Sequence, residues 1–269
     1  MSALSPTTML LAGLLLKIAM TVGIVVAASV VVERSGPFIG ALIASLPTAG
    51  GAAMIILAVE HPPSFIAASA VGSMMSNAVC ALFALTYAAL AQRRSLGVSL
   101  GGAFAVWLGF ALASRAIDWS AAGALALNAI VYPVTIHLSR RYRGEGVVRR
   151  VALSARDLAW RAGVVTLCVV VVTAASSTIG SYFSGVFAFF PVAMGSFFVI
   201  LHTRLGGKAA AAVAAHVQAP LVGLCLSLLV VHVLAEPVGV WWSYALGLST
   251  GVGWNALLWL LRNRHSKAS

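Results

Sequence analysis

The sequence predicts an all-α polytopic membrane protein: nine transmembrane helices forming two inverted four-helix repeats joined by a linking helix. Three observations predict it. Of 269 residues, 61% are apolar and only 9% charged, and the mean hydropathy is +1.01. No soluble fold hides that much apolar surface, whereas runs of about 20 apolar residues match a hydrocarbon core about 30 Å thick. The apolar residues also fall into long Leu, Ala and Val runs, in which a helix satisfies every backbone group internally. The alternating strands of a membrane barrel are absent. Lastly, one displacement of 144 residues superimposes Lys17 on Arg161, Gly36 on Gly180, Pro47 on Pro191 and Gly51 on Gly195 without a gap. Self-similarity at a fixed offset is the signature of internal duplication.

Nine apolar segments follow in order: 9–32, 37–59, 65–91, 97–114, 121–138, 158–177, 182–203, 209–235 and 238–261. Residues 1–8 lack Lys and Arg, and Lys17 interrupts the first run. The segment therefore reads as a retained helix and not as a signal peptide. Pro47 interrupts the second segment and Pro191 the seventh, each within a shared Pro-x-Ala-x-Gly pattern. A proline removes a backbone donor and crowds the carbonyl four residues earlier, so each breaks or kinks its helix. The third segment carries Ser73, Ser76 and Asn77, and the eighth carries His216, Gln218 and Pro220. In the ninth, Gly247 and Gly251 make a small-residue face suited to close helix packing. The expected organisation is a first repeat over 9–120, a linking helix and basic loop over 121–152, and a second repeat over 153–264.

Placed alternately about nine spans, the charges segregate. One side collects 14 of the 17 cations: Arg34, Arg93, Arg94, the cluster from Arg140 to Arg156, Arg204, Lys208, Arg262, Arg264 and Lys267. The other side holds Arg115 with Glu60, Asp118 and Glu236. The positive-inside rule then predicts an inner-membrane protein with its N-terminus outside and its C-terminus in the cytoplasm. The net charge of +11 is accounted for by this segregation, and no basic face interleaved with aromatics points to nucleic acid. Cys80, Cys168 and Cys225 lie widely spaced inside apolar runs, so they read as small hydrophobes. No disulfide framework, metal site or cofactor is expected.

Lys17 early in the first span, followed thirty residues later by the proline of Gly40-Ala41-Leu42-Ile43-Ala44-Ser45-Leu46-Pro47-Thr48, resembles the small four-helix inner-membrane proteins of the GlpM type. The resemblance covers residues 9–114. The second half keeps a cation and the proline at the same spacing but reads Phe189-Phe190-Pro191-Val192. The resemblance implies a fused pair of such units and names no substrate.

Two related halves, each with a broken helix and a nearby cation, point to a small secondary transporter. A cation within a span is costly unless it pairs, faces water or snorkels. Mid-span carboxylates are missing, so Lys17 is expected to face a cavity, whereas the shallower Arg161 either does the same or snorkels. Such cations suit an anionic solute. A broken helix presents free N–H groups at the positive end of a half-helix dipole. The expected solute-binding residues are therefore Lys17, Arg161, Ser45, Pro47, Thr48, Gly51, Asn77, Pro191, Gly195, His216 and Gln218. Of these, Asn77 and Gln218 also suit interhelical bonding, and His216 suits either a structural role or a proton relay. The lipid bilayer and a small solute are the expected partners, and a homo-oligomer is compatible. An accessory subunit of an envelope, lipid or polysaccharide pathway is the alternative. An enzyme is not expected: H-E-x-x-H, paired mid-span carboxylates and a nucleophile–base set are all absent.

Overall fold

The computed structural model describes residues 15, 18–23, 26–27, 48–143 and 154–268, and no strand occurs among them. The helices are α1 (Thr48–Glu60), α2 (Pro63–Leu90), α3 (Leu96–Ala113), α4 (Ala121–Ser139), α5 (Ala155–Ala188), α6 (Val192–Leu205), α7 (Gly207–His216), α8 (Gln218–Leu234) and α9 (Val240–Ala268). Short 3-10 turns follow α3 at Ser114–Ala116 and α4 at Arg140–Tyr142. Helix starts carry the expected stop and start signals. Pro63 opens α2, the Ser120 hydroxyl accepts from Gly123 N–H at α4, and a Ser154–Asp157 capping box opens α5.

Five helical stretches among the described residues are long and apolar enough to cross a membrane: Pro63–Leu90, Leu96–Ala116, Ala121–Tyr142, Ala155–Leu205 and Gly207–Leu234. The architecture is that of a helical membrane-embedded protein, and the expected count of nine spans is corrected to these five stretches. The difference has physical causes. The expected spans 158–177 and 182–203 belong to one 51-residue stretch. At about 1.5 Å per residue it would be far longer than a bilayer is thick, had it not folded back. The apolar helix Gly50–Glu60 is too short to cross, and most of 9–32 lies outside the described residues.

The reversal is at Gly180, whose φ of 77° and ψ of 172° interrupt the helical path. Only glycine adopts that backbone conformation cheaply. Asp157 pairs with Arg204, the Arg161 guanidinium sits over the Phe197 ring, and Ser184 Oγ donates to Ser176 O. These pairs lie at nearly matching distances from Gly180, so residues on either side of it form two antiparallel arms. The second arm is interrupted again between Ala188 and Val192, with Pro191 capping α6.

Helix α2 is the axle of the bundle. Helices α3, α4, α5, α7 and α8 pack around it, and it is buried on nearly every face. Its neighbours instead bury one stripe each, such as Ser99, Ala103, Trp107 and Ala111 of α3. They turn Leu108, Leu112, Ile130, Val134 and Leu167 outward. An apolar exterior around a tightly packed interior is what lipid requires. Gly72 and Gly185 let α2 and α5 approach so closely that a Cβ at either would collide with a backbone oxygen, Tyr182 O or Ser69 O. Gly247 and Gly251 of α9 rest on Ser227 of α8, the close contact their spacing predicts.

The helix boundaries repeat. Helices α1, α2 and α3 begin at 48, 63 and 96, while α6, α7 and α9 begin at 192, 207 and 240, each displaced by 144 residues. The stretches Pro63–Leu90 and Gly207–Leu234 have the same 28-residue length. They also run antiparallel. His232 Nδ1 meets Ala67 O at 2.8 Å, Asn77 Nδ2 donates to Leu221 O at 3.0 Å, and Gln218 Nε2 donates to Ala81 O at 3.0 Å.

Candidate functional site at the middle of the central helix

The buried polar groups gather at the middle of α2. On one side a hydroxyl ladder ties it to the second arm of α5: Ser69 Oγ donates to Ser181 O at 2.9 Å, Ser73 Oγ to Gly185 O at 3.1 Å and Ser76 Oγ to Phe189 O at 3.2 Å. The partners rise together, so these segments run parallel. Phe189 O is freed by the Pro191 interruption, and Ser76 Oγ and the Cys80 thiol both donate to it. The first turn of α1 meets the same break, where a Cβ at Gly50 would lie 2.7 Å from the Phe189 ring. The start of one short helix therefore abuts the break that precedes the other.

On the opposite side, α4 and α8 enclose α2. Tyr132 Oη donates to Leu221 O at 3.0 Å, and Asn77 Nδ2 donates to both Leu221 O and Tyr132 Oη. Asn128 Nδ2 donates to Met74 O at 2.9 Å and to Ala124 O at 2.7 Å. The amide oxygens of Asn77, Asn128 and Gln218 are buried and receive no hydrogen bond among the described residues.

Arg161 is 5% exposed, and its Nε and Nη1 find no acceptor among the described residues. The Phe197 ring lies 5.3 Å from its guanidinium carbon. Nearer the start of α5, Arg204 pairs with Asp157 and donates to Ser154 Oγ at 3.2 Å. Burial of a charge without an acceptor is costly.

The other expected residues are distributed as follows. Pro191 and Gly195 lie at the start of α6, where Gly195 N–H donates to Pro191 O at 2.8 Å and Gly195 packs near Phe104. Gly51 is in the first turn of α1, which Thr48 opens. His216 ends α7, half-buried, immediately before the break at Val217. Gln218 is fully buried beside Ala81. Lys17, Ser45 and Pro47 lie outside the described residues. The structure thus brings Asn77 and Gln218 together along α2, and sets Arg161 apart with Phe197.

No family model, curated protein or solved structure matches this chain.

Asn128 and Tyr132 lie in the linking helix, for which the sequence predicts no site residue. A polar residue and a tyrosine four positions apart on one helical face were the available signal. Two further side-chain pairs lie at opposite ends of α2. His61 Nε2 meets Ser176 Oγ at 2.8 Å before its first turn, and Tyr87 Oη meets His202 Nδ1 at 2.9 Å in its last. Past the end of α4, burial and the neighbouring Arg140 hold the Arg143 guanidinium below the usual arginine range.

Proposed function

We propose that this protein carries a small anionic solute across the cell inner membrane by alternating access, as a secondary carrier or exporter built from two inverted halves. The observation that carries the reading is the repeat in the architecture: helix starts displaced by one constant offset, and a pair of equivalent helices that run antiparallel. Antiparallel equivalents relate the halves by an axis in the membrane plane, the plan of inverted-repeat carriers. The axis passes near Asn77 and Leu221. The short helices α1 and α6 are equivalent in position, and the start of α1 lies against the interruption before α6.

In this reading Arg161 neutralises the solute, while the starts of α1 and α6 contribute N–H dipoles. Thr48, Gly51, Pro191 and Gly195 shape those starts. Lys17, at the position equivalent to Arg161, would serve the first half, with Ser45 and Pro47 before α1. The linking helix α4 covers the axis. The orientation is that of the positive-inside rule, with the N-terminus outside and the C-terminus cytoplasmic. The likeness to GlpM-type proteins fits a fused pair of single units, which would achieve the same plan by antiparallel dimerisation.

The test is ligand screening by thermal stabilisation of the purified protein across small carboxylates and phosphates, followed by flux of the stabilising anion in liposomes. The account expects saturable stabilisation and flux, both lost in Arg161→Ala. Absence of flux, together with co-purification of a stoichiometric membrane partner, would overturn it in favour of an accessory subunit.

A further inference from the structure

Three basic groups from different helices converge where α7 gives way to α8. His216 closes α7 and is half-buried there. Helix α4 runs alongside α2, with Asn128 on Met74 and Tyr132 against Asn77, so it ends on the side where α8 begins. Its terminal turn, Arg140–Tyr142, packs on α7, and Arg143 follows at once. Helix α9 runs back along α8, where Gly247 lies on Ser227 and Trp254 Nε1 donates to Ala219 O at 2.9 Å. Arg262 comes about two turns after Trp254, which carries it past the start of α8 to the end of α7. The charges of Arg143 and Arg262 both act on His216, one from the α4 side and one from the α9 side.

Carboxylates do not balance this cluster among the described residues. Glu60, Asp118 and Glu236 lie at the opposite end of the bundle, and Asp157 is taken by Arg204. Glu33 and Glu145 lie outside the described residues. Burial and the neighbouring Arg140 work against the charge on Arg143, whose Nε is buried and finds no acceptor among the described residues. Two guanidinium forks flanking an imidazole suit a phosphate, whose several oxygens accept from both sides. Helices α4 and α9 both pack on α8 but make little contact with each other, leaving α8 to floor the gap between them. Leading up to the cluster, α4 exposes Val134 and Leu138, and α9 exposes Leu257. A basic cluster at the head of an apolar gap between helices matches a molecule with a phosphate at one end and acyl chains at the other.

We propose that Arg143, His216 and Arg262 bind the phosphate of an acidic phospholipid, whose acyl chains lie along the gap between α4 and α9. Such a lipid would join the linking helix to the last helix of the chain, two elements that otherwise meet mainly through α8. The site goes beyond the carrier reading and does not depend on it, since that reading rests on Arg161 and on the starts of α1 and α6.

The experiment is thermal unfolding of the purified full-length protein in dodecylmaltoside micelles. It is titrated with dioleoylphosphatidylglycerol, with dioleoylphosphatidylcholine, or with inorganic phosphate at constant ionic strength. Saturable stabilisation by phosphatidylglycerol, and none by phosphatidylcholine, is expected. Arg143→Gln and Arg262→Gln should each raise the half-saturating lipid fraction about tenfold or more, as befits loss of a charge-assisted contact. Arg141→Gln removes an equal charge from a guanidinium that lies over the Tyr142 ring at 4.8 Å, and it should leave the titration unchanged. Equal weakening by all three variants would overturn the site in favour of diffuse attraction to a basic surface. Equal stabilisation by both lipids would overturn selection by these cations. Saturation by inorganic phosphate, with no further gain from lipid, would overturn the lipid as occupant. Arg161→Ala leaves these groups in place and should not alter the lipid titration, so this site and the carrier reading fail separately.

Discussion

The Asn77 side chain donates a hydrogen bond to the carbonyl of Leu221, the residue 144 positions further along the chain. That separation is the offset at which Lys17, Gly36, Pro47 and Gly51 recur as Arg161, Gly180, Pro191 and Gly195. In the inverted arrangement proposed above, a residue that touches its own counterpart lies on the axis relating the two halves.

Close backbone packing makes the α2–α5 crossing intolerant of side chains. A Cβ at Gly185 would collide with Ser69 O, a backbone atom that cannot swing away, whereas nothing lies within 4 Å of a Cβ at Gly97 or Gly101. Gly185→Ala should therefore cost more than about 2 kcal/mol. Gly97→Ala should be neutral or stabilising by up to about 1 kcal/mol, because alanine is the better helix former. Reversible unfolding of the two variants in detergent checks both signs. A mild Gly185→Ala would mean that the helices are further apart than described here.

Arg161 separates function from stability. Its buried guanidinium lacks an acceptor among the described residues. Arg161→Leu should thus raise the unfolding temperature of the anion-free protein while abolishing stabilisation by the anion. Replacement of a buried charge by an apolar side chain is often neutral or stabilising by about 1–4 kcal/mol. Thermal scans of the variant with and without anion decide this. A destabilised variant that still responds to anion would assign Arg161 to packing.

The serine ladder should be worth little per rung. Ser73→Ala and Ser76→Ala each remove one interhelical donor, at a cost of about 0.6 kcal/mol apiece. Tyr132→Phe should cost more, about 1–2 kcal/mol, because it leaves both Leu221 O and Asn77 with one bond fewer. Chemical unfolding of the three variants gives the ranking, and a ladder serine costlier than Tyr132 would reverse it.

The antiparallel course of α2 and α8 predicts a pattern of cross-links. In a background lacking Cys80, Cys168 and Cys225, cysteines at Ala67 and His232 should be joined by a short bifunctional thiol reagent, since His232 Nδ1 lies 2.8 Å from Ala67 O. The pair Ala67 and Gln218 should stay unlinked, because Gln218 lies beside Ala81, about four turns away. Mass spectrometry of the reacted proteins distinguishes the two.

Much of the helical plan was legible in the sequence because lipid imposes it. The third and eighth segments were expected over 65–91 and 209–235, and the structure runs Pro63–Leu90 and Gly207–Leu234, with Pro63 and Gly206 setting the starts. The interruption at Pro191 was legible too, as a missing donor is a local property. The tight reversal at Gly180 was not legible, since a positive φ leaves no trace in hydropathy. The role of the linking helix was hidden for a different reason. Asn128 matters through Met74 and Tyr132 through Leu221, partners 54 and 89 residues away, and no periodic pattern encodes them. Arg161 was read as shallow from its place near a segment start. Its burial depends on Phe197, on the arm that folds back over it.

The most direct test is sidedness. Arg94 follows α2 and Val238, its counterpart at the same offset, follows α8, and both are exposed. Single cysteines at the two positions, in a cysteine-free background, should react with an impermeant maleimide from opposite sides of the membrane, Arg94→Cys from the cytoplasm and Val238→Cys from outside. Labelling of both from one side would contradict the inversion of the two halves, and with it the shared axis at Asn77 and Leu221.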